Sequence, residues 1–314
     1  MSNTIYDIYH DESKEEAYWH GFLFVPRKNR EYLLSLLKEA RENTDYFYPL
    51  HYKKIKCNKK RNSKKEIIAK SWTTIGIFSL QQQKLNKIKP FVYLGRNPRK
   101  IKPVYKELLN LIKCKFAIFK EKDRHKKMFF KGDNLRNIEI TFRMALKGAL
   151  HKLFSNENSV TVGNIFIDGD EHYIGEYGRN LNMEEILEKL QLEKREYVDF
   201  LENSKIIPQK SDHRKLKNKQ FIEDSYLLQL CDILIGGFRF HSFCPKTNIT
   251  KYRISELCKN LLKHDQNNFA RMKESRYFNG FILNEAWIED EEWKFCQLNI
   301  ENPNNNSIQL SLNF

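Results

Sequence analysis

The sequence has no glycine-rich loop of the kind that cradles phosphate. Its 12 glycines are dispersed over 314 residues, and Gly163 and Gly169 alone do not form such a loop, which argues against a phosphatase or nucleotide hydrolase. It has no CxxC pair: Cys57, Cys114, Cys231, Cys244, Cys258 and Cys296 are scattered, without Cys/His spacing suited to zinc. They read as reduced thiols, with Cys231 a packing residue and not a nucleophile. No apolar run approaches the ~20 residues that cross a bilayer. Residues 1–4 lead directly into a strand without a secretory pattern, so the expectation is a cytoplasmic protein with no membrane partner. No internal repeat is found.

Large apolar side chains, by contrast, are plentiful. Aromatics make up 13% of the chain, with 22 Phe and 15 Tyr, which is incompatible with a disordered polymer. Lys and Arg number 55 against 40 Asp and Glu, a formal charge of +15 that favours a polyanionic partner. Part of that excess reflects the Lys-, Asn- and Ile-rich composition of a chain encoded by an AT-rich genome. Its distribution says more. Lys53, Lys54, Lys56, Lys59, Lys60, Arg61, Lys64 and Lys65 form one dense run ahead of Trp72, and further clusters occupy 96–102 and 120–127. Each lies near aromatic residues able to stack on bases, so DNA or RNA is the expected ligand, against the alternative of solvated loops.

Hydrophobic periodicity predicts strands over 5–13 and 17–25 joined as a hairpin, then a helix over 28–41 with Tyr32, Leu33, Leu36 and Leu37 inward. A third strand is expected over 46–56 and a helix over 67–83 containing Trp72, Ile75 and Phe78. Then follow a strand over 115–120, a long helix over 134–154, a strand over 162–168 and a helix over 183–201. An edge strand over 206–208, an apolar helix over 225–237 and a helix over 254–263 complete the reading. Strand, helix, parallel strand is the natural crossover of an α/β sheet covered by helices on both faces. The expected organisation is one domain over 1–240, with a basic insertion at about 52–130, and a C-terminal extension over 241–314 packed on it.

Three acids stand out. Asp11 and Asp168 sit where apolar strands end, and Asp232 lies in the almost wholly apolar helix Ser225 to Gly237. If the two strands are parallel neighbours, their ends lie about 4.8 Å apart. An ionised carboxylate on a buried helix needs an Arg or Lys such as Arg143, a proton, or a metal. Hard oxygen ligands select Mg2+ or Mn2+, and two such ions suit phosphodiester chemistry. The bland reading of Asp11 is a turn or cap residue, and of Asp168 an Asp-Gly turn, with Asp170 and Glu171 able to stand in for it. Glu12 falls on the opposite side of a continuing strand unless a bend turns it in, and His10 likewise faces away from Asp11. Gln229, three residues before Asp232, suits a hydrogen bond to a ligand carboxylate or to substrate.

An opening strand ending Asp11-Glu12-Ser13, a central strand ending in Asp168, and the late helix Gln229-Leu230-Cys231-Asp232 resemble a widespread bacterial group, the domain of unknown function 3800 family, with its DE and QxxD motifs. Asp224-Ser225, just ahead of that helix, belongs to the same pattern. The family is similar to the ribonuclease H-like superfamily, whose sheet carries acidic metal ligands on its first strand, its fourth strand and a later helix. The resemblance also implies a role for His51, in proton transfer or phosphate contact, against the commoner reading of an ordinary surface histidine. The chain departs from the pattern in having Cys231 where a small Ala is usual, and in its extensions.

The resulting expectation is a ribonuclease H-like mixed sheet with Asp11, Asp168 and Asp232 as metal ligands, Glu12 as a fourth, and hydrolysis of DNA or RNA by a two-metal mechanism. The alternative is a non-catalytic nucleic-acid- or partner-binding subunit of a bacterial defence or mobile-element system.

Overall fold

The computed structural model describes residues 4–14, 17–58, 63–80, 91–92, 99–100, 109, 111–121, 134–155, 159–169, 181–243, 248–258, 280–289, 292–298 and 309–311. The chain forms an α/β structure with a mixed sheet and divides into two units, each assembled from separated segments. Unit 1 comprises Met1–Arg27, Phe116–Lys210 and Ile282–Phe314, and unit 2 comprises Lys28–Lys115 and Ser211–Phe281. The division is therefore not a cut near residue 240. Residues of the supposed C-terminal extension form strands of the sheet that the first residues begin.

In unit 1, β1 (Ile5–Ser13) and β2 (Tyr18–Pro26) form the expected antiparallel hairpin, paired from Tyr6 opposite Pro26 to Ser13 opposite Trp19. On its other side β1 pairs in parallel with β6 (Val160–Asp168), up to His10 opposite Ile167. The nine-stranded sheet runs β11-β10-β9-β5-β2-β1-β6-β7, with β8 also on β6. Here β5 is Lys115–Glu121, β7 Val198–Phe200, β8 Ile206–Gln209, β9 Phe281–Glu289, β10 Glu292–Gln297 and β11 Gln309–Ser311. β7 and β8 divide β6 between them, one pairing with Val160–Val162 and the other with Ile165–Asp168.

Strand alternation sorts the central side chains into two sets. Ile8, Phe22, Phe24, Ala117, Phe119, Ile165 and Ile167 share a hydrophobic core with two helices, α3 (Asn134–Phe154) and α4 (Met183–Leu192). α3 presents Ile138, Phe142, Ala145, Leu146, Ala149, Leu150 and Leu153, an i, i+3, i+4 stripe, to that core. On the opposite face Tyr9, Leu23, Val25, Phe116, Ile118 and Phe166 are buried too. The predicted helix over 183–201 ends early, at Leu192, which is 84% exposed, and the residues after it turn into β7.

The β1/β6 pairing contains a bulge between Tyr6 and Ile8. There Asp7 accepts hydrogen bonds from Arg27 Nη2 at 2.6 Å and from the Asn164 backbone N–H at 2.8 Å. A Cβ on Gly163 would stand 2.3 Å from Asp7 Oδ1 and 2.4 Å from Arg27 Nη2, so this ion pair requires glycine.

Unit 2 is mainly helical: α1 (Arg30–Thr44), α2 (Lys64–Ser79), α5 (Lys219–Phe243) and α6 (Ile249–Ser255), with a short ribbon of β3 (Phe91–Val92) and β4 (Arg99–Lys100). α1 buries Leu33, Leu34, Leu36 and Leu37, while Tyr32 is 38% exposed and does not belong to the inner stripe. α2 begins at a serine N-cap: the Ser63 hydroxyl accepts from the Glu66 backbone N–H at 3.2 Å. Glu66, fully buried, is met by Lys70 Nζ at 2.6 Å and Arg253 Nη1 at 3.4 Å. α5 passes close to its neighbours at two glycines. A Cβ on Gly236 would lie 2.1 Å from the Tyr52 ring, and one on Gly76 would lie 3.0 Å from Leu234. The helix expected over 254–263 stops at Ser255, followed by the 3-10 turn Glu256–Cys258, and the rest of that span lies outside the described residues.

Arg41 anchors this unit. Its guanidinium lies between Trp72 and Tyr226, 4.5 and 4.6 Å from their ring centres, and donates to the carbonyls of Tyr46 and Tyr48 and to Gln229. Burial lowers its pKa to about 10, so it remains charged at neutral pH. The expected third strand over 46–56 does not form. Tyr46, Phe47, Tyr48, Leu50 and Tyr52 make the segment rich in large apolar residues, but it is a succession of turns whose backbone is bound by side chains of α1 and α5 instead of by a neighbouring strand.

Candidate metal centre

Asp11 lies in β1 and Asp168 ends β6. Because His10 pairs with Ile167, these acids are the next neighbours across the parallel ladder. They share the face marked by Tyr9 and Phe166, whose rings stack at 4.9 Å. Asp168 in turn pairs with Gln209 at the end of β8, and the Gly169 backbone N–H donates to the Gln209 carbonyl at 2.7 Å. Asp11, Asp168 and Gln209 thus form a row across three adjacent strands, at the carboxyl ends of β6 and β8. Asp11 is 9% exposed and Gln209 5%, with Asp168 half-buried. Asp11 Oδ1 accepts the Glu12 backbone N–H at 2.7 Å. Asp170 and Glu171 lie outside the described residues.

Glu12 is on the opposite face. The strand continues straight through Asp11, so alternation carries Glu12 to the side of His10, away from the Asp11 row, and it is not a fourth ligand beside Asp11. There it accepts a short hydrogen bond from the Tyr18 hydroxyl and lies 3.8 Å from His20 Nδ1. His20 is also 3.2 Å from His10 Nε2 and 2.8 Å from Glu121 Oε1. His20 and Glu121 were missed in the sequence. The signal was available: in a hairpin with this register, His20 is directly opposite Glu12 and diagonal to His10.

In unit 2, Asp232 is met by a backbone N–H and by a histidine. Its Oδ2 accepts the Tyr52 backbone N–H at 3.0 Å and lies 3.5 Å from His51 Nδ1, with a fifth of the side chain exposed. Arg143 is bound instead to Glu139 and Glu193 within unit 1. Gln229 is fully buried. Its Oε1 accepts from the Leu50 backbone N–H and from Arg41, and its Nε2 donates to the Ser211 carbonyl and meets His213 Nδ1 at 3.2 Å. Its amide thus holds the segment that carries His51 and Tyr52 against α5. Asp224 pairs with Arg30 Nη2 at 2.8 Å. Cys231 is fully buried, a packing residue.

Among the basic segments, Lys53, Lys54, Lys56 and Lys64 are exposed, whereas 59–62 and most of 96–102 and 120–127 lie outside the described residues. Lys65 has its pKa lowered, first by burial and then by the positive charges of Lys54 and Lys56. In the same unit Phe47 and Tyr48 are 54% and 63% exposed, and Arg214 stacks over Tyr48 at 5.7 Å. Among the described residues no helix is long and apolar enough to cross a membrane. Comparison with protein-family models, with curated proteins and with solved structures gives no match for this chain.

Proposed function

We propose that the chain is a Mg2+- or Mn2+-dependent nuclease of ribonuclease H-like architecture, acting on phosphodiester bonds of DNA or RNA. The observation that carries this reading is the adjacency of Asp11 and Asp168, each one residue beyond the His10–Ile167 pair, on one face of neighbouring parallel strands. The ribbon of β3 and β4 stands apart, so β1 and β6 are the first and fourth strands of the main sheet, the positions at which the superfamily places acidic ligands.

The donor set fits the ion. Two carboxylates and a carboxamide in a row offer hard oxygens to a small divalent cation, and two like charges set side by side on a nearly buried face favour a cation between them. When bound, such an ion lowers the pKa of a water and stabilises the departing oxygen of a phosphodiester. Asp11 and Asp168 hold it, and the strand ends fix their spacing. In unit 2, the exposed lysines of the 53–65 segment supply the field that attracts a nucleic-acid backbone, and Phe47 and Tyr48 offer faces for bases.

The test is Mn2+ binding by calorimetry together with Mn2+-dependent cleavage of single- and double-stranded DNA and RNA. Asp11→Asn and Asp168→Asn each abolish cleavage and weaken Mn2+ at least tenfold. Asp232→Asn is scored separately, as the third acid of the resemblance. Unchanged cleavage in both strand variants would refute the proposal. The second reading, a nucleic-acid- or partner-binding subunit without turnover, draws on the binding of Asp232 and Gln229 by the protein's own groups; salt-dependent nucleic-acid affinity with no Mn2+ uptake would establish it.

A further inference from the structure

The sheet of unit 1 carries a second group of ligand atoms, on the face opposite Asp11 and shared with α3. His10 Nε2, His20 Nδ1 and a Glu12 carboxylate oxygen lie within 4.8 Å of one another. The two imidazole nitrogens are 3.2 Å apart, and His20 Nδ1 is 3.8 Å from Glu12 Oε1. Ligands bound at ~2.0–2.1 Å around a tetrahedral ion stand about 3.3 Å from each other, so the two imidazole nitrogens are already at that spacing and the Glu12 oxygen is close to it from His20. We propose that His10, His20 and Glu12 hold a borderline divalent transition metal of the Zn2+ class.

Three features of the surroundings support this. Glu121 Oε1 is 2.8 Å from His20 Nε2, so the proton sits on Nε2 and the Nδ1 lone pair faces His10 and Glu12, the carboxylate-histidine-metal arrangement that raises ligand basicity. The Tyr18 hydroxyl donates to Glu12 Oε2, while Oε1 is the oxygen 3.8 Å from His20 Nδ1. The charges also balance: Glu12 and Glu121 together neutralise a doubly charged ion in a site where His10 and His20 are 0% and 1% exposed. His10 is fixed by rings, Phe22 at 4.6 Å and Phe142 at 4.8 Å. Imidazole nitrogen distinguishes this donor set from the all-oxygen row of Asp11 and Asp168, and selects a softer ion than Mg2+.

The experiment uses the full chain, stripped with a chelator and titrated with Co2+ as a spectroscopic probe. One equivalent is expected to give the intense visible absorption of a tetrahedral site, bleached by Zn2+. His10→Gln and His20→Gln abolish the band, His151→Gln leaves it unchanged, and Glu121→Gln weakens Co2+ by about 10–100-fold. A wild-type protein without the band, or a band that survives both cluster variants, overturns the proposal. If the buried variants do not fold, nitrogen resonances of 15N-histidine-labelled wild type decide: Zn2+ must shift His10 and His20 while leaving His51, His151 and His213 in place. Unmoved His10 and His20 resonances mean a hydrogen-bonded histidine pair only. The outcome is independent of the nuclease proposal, because Asp11 and Asp168 contribute no nitrogen.

Discussion

Gly163 shows how one missing methyl shapes the sheet. Its hydrogen leaves room for the Asp7–Arg27 ion pair at the β1/β6 bulge. Gly163→Ala must push that pair aside, and overpacking of this kind costs about 1–3 kcal/mol. The urea midpoint falls accordingly, with the slope of the transition unchanged. Two histidines make stability sensitive to acid. Burial holds the pKa of His151 and of His213 below the ordinary 6.5, with nearby Arg195 and Arg41 adding to the effect. As pH drops below 6.5 the unfolded chain takes up protons that the folded chain refuses, so stability is full above that value and declines beneath it. Thermal unfolding from pH 8 to pH 5 will show the decline, and His151→Gln will make it shallower. The histidine pair illustrates what escapes residue-by-residue reading. Alternation correctly sent His10 away from Asp11, but its partner His20 emerges only once the hairpin register is followed across to β2.

At the scale of elements, the strands and helices with strong periodicity were legible: β1, β6 and α3 lie where the apolar pattern puts them, whereas the sequence carries the parallel pairing of β1 with β6 only as a condition, because α3 joins β6 to β5 and not to β1. Short or unusual pieces were not legible. β7 has three residues, too few for a period to register, and it was absorbed into the helix before it. The 46–56 segment imitates a strand through its richness in aromatics, yet its backbone is satisfied by Gln229, Asp232 and Arg41. This assigns different weights to two neighbouring side chains of α5. Gln229→Ala strands a buried backbone N–H, a buried carbonyl and an arginine, at about 1–3 kcal/mol for each unsatisfied group, whereas Asp232→Asn keeps an oxygen for Tyr52 and costs under about 1 kcal/mol. Chemical denaturation of the two variants separates a pin from a group free to serve chemistry.

For the molecule as a whole, the +15 charge sets what the proposed nucleic-acid binding predicts. Each phosphate contact contributes about −0.9 to the slope of log affinity against log salt on duplex DNA, so replacing Lys53, Lys54 and Lys56 with Ala is expected to reduce that slope by about 2–3. An unchanged slope would move the binding surface elsewhere. The chain also passes from one unit to the other after Arg27, after Lys115, after Lys210 and after Phe281. During synthesis, then, neither core can be completed early: the second waits for its stretch ending at Phe281, and the first for strands translated later still. Nascent apolar surface stays uncovered until those later strands have been made, the circumstance in which a cell's holding chaperones are most needed.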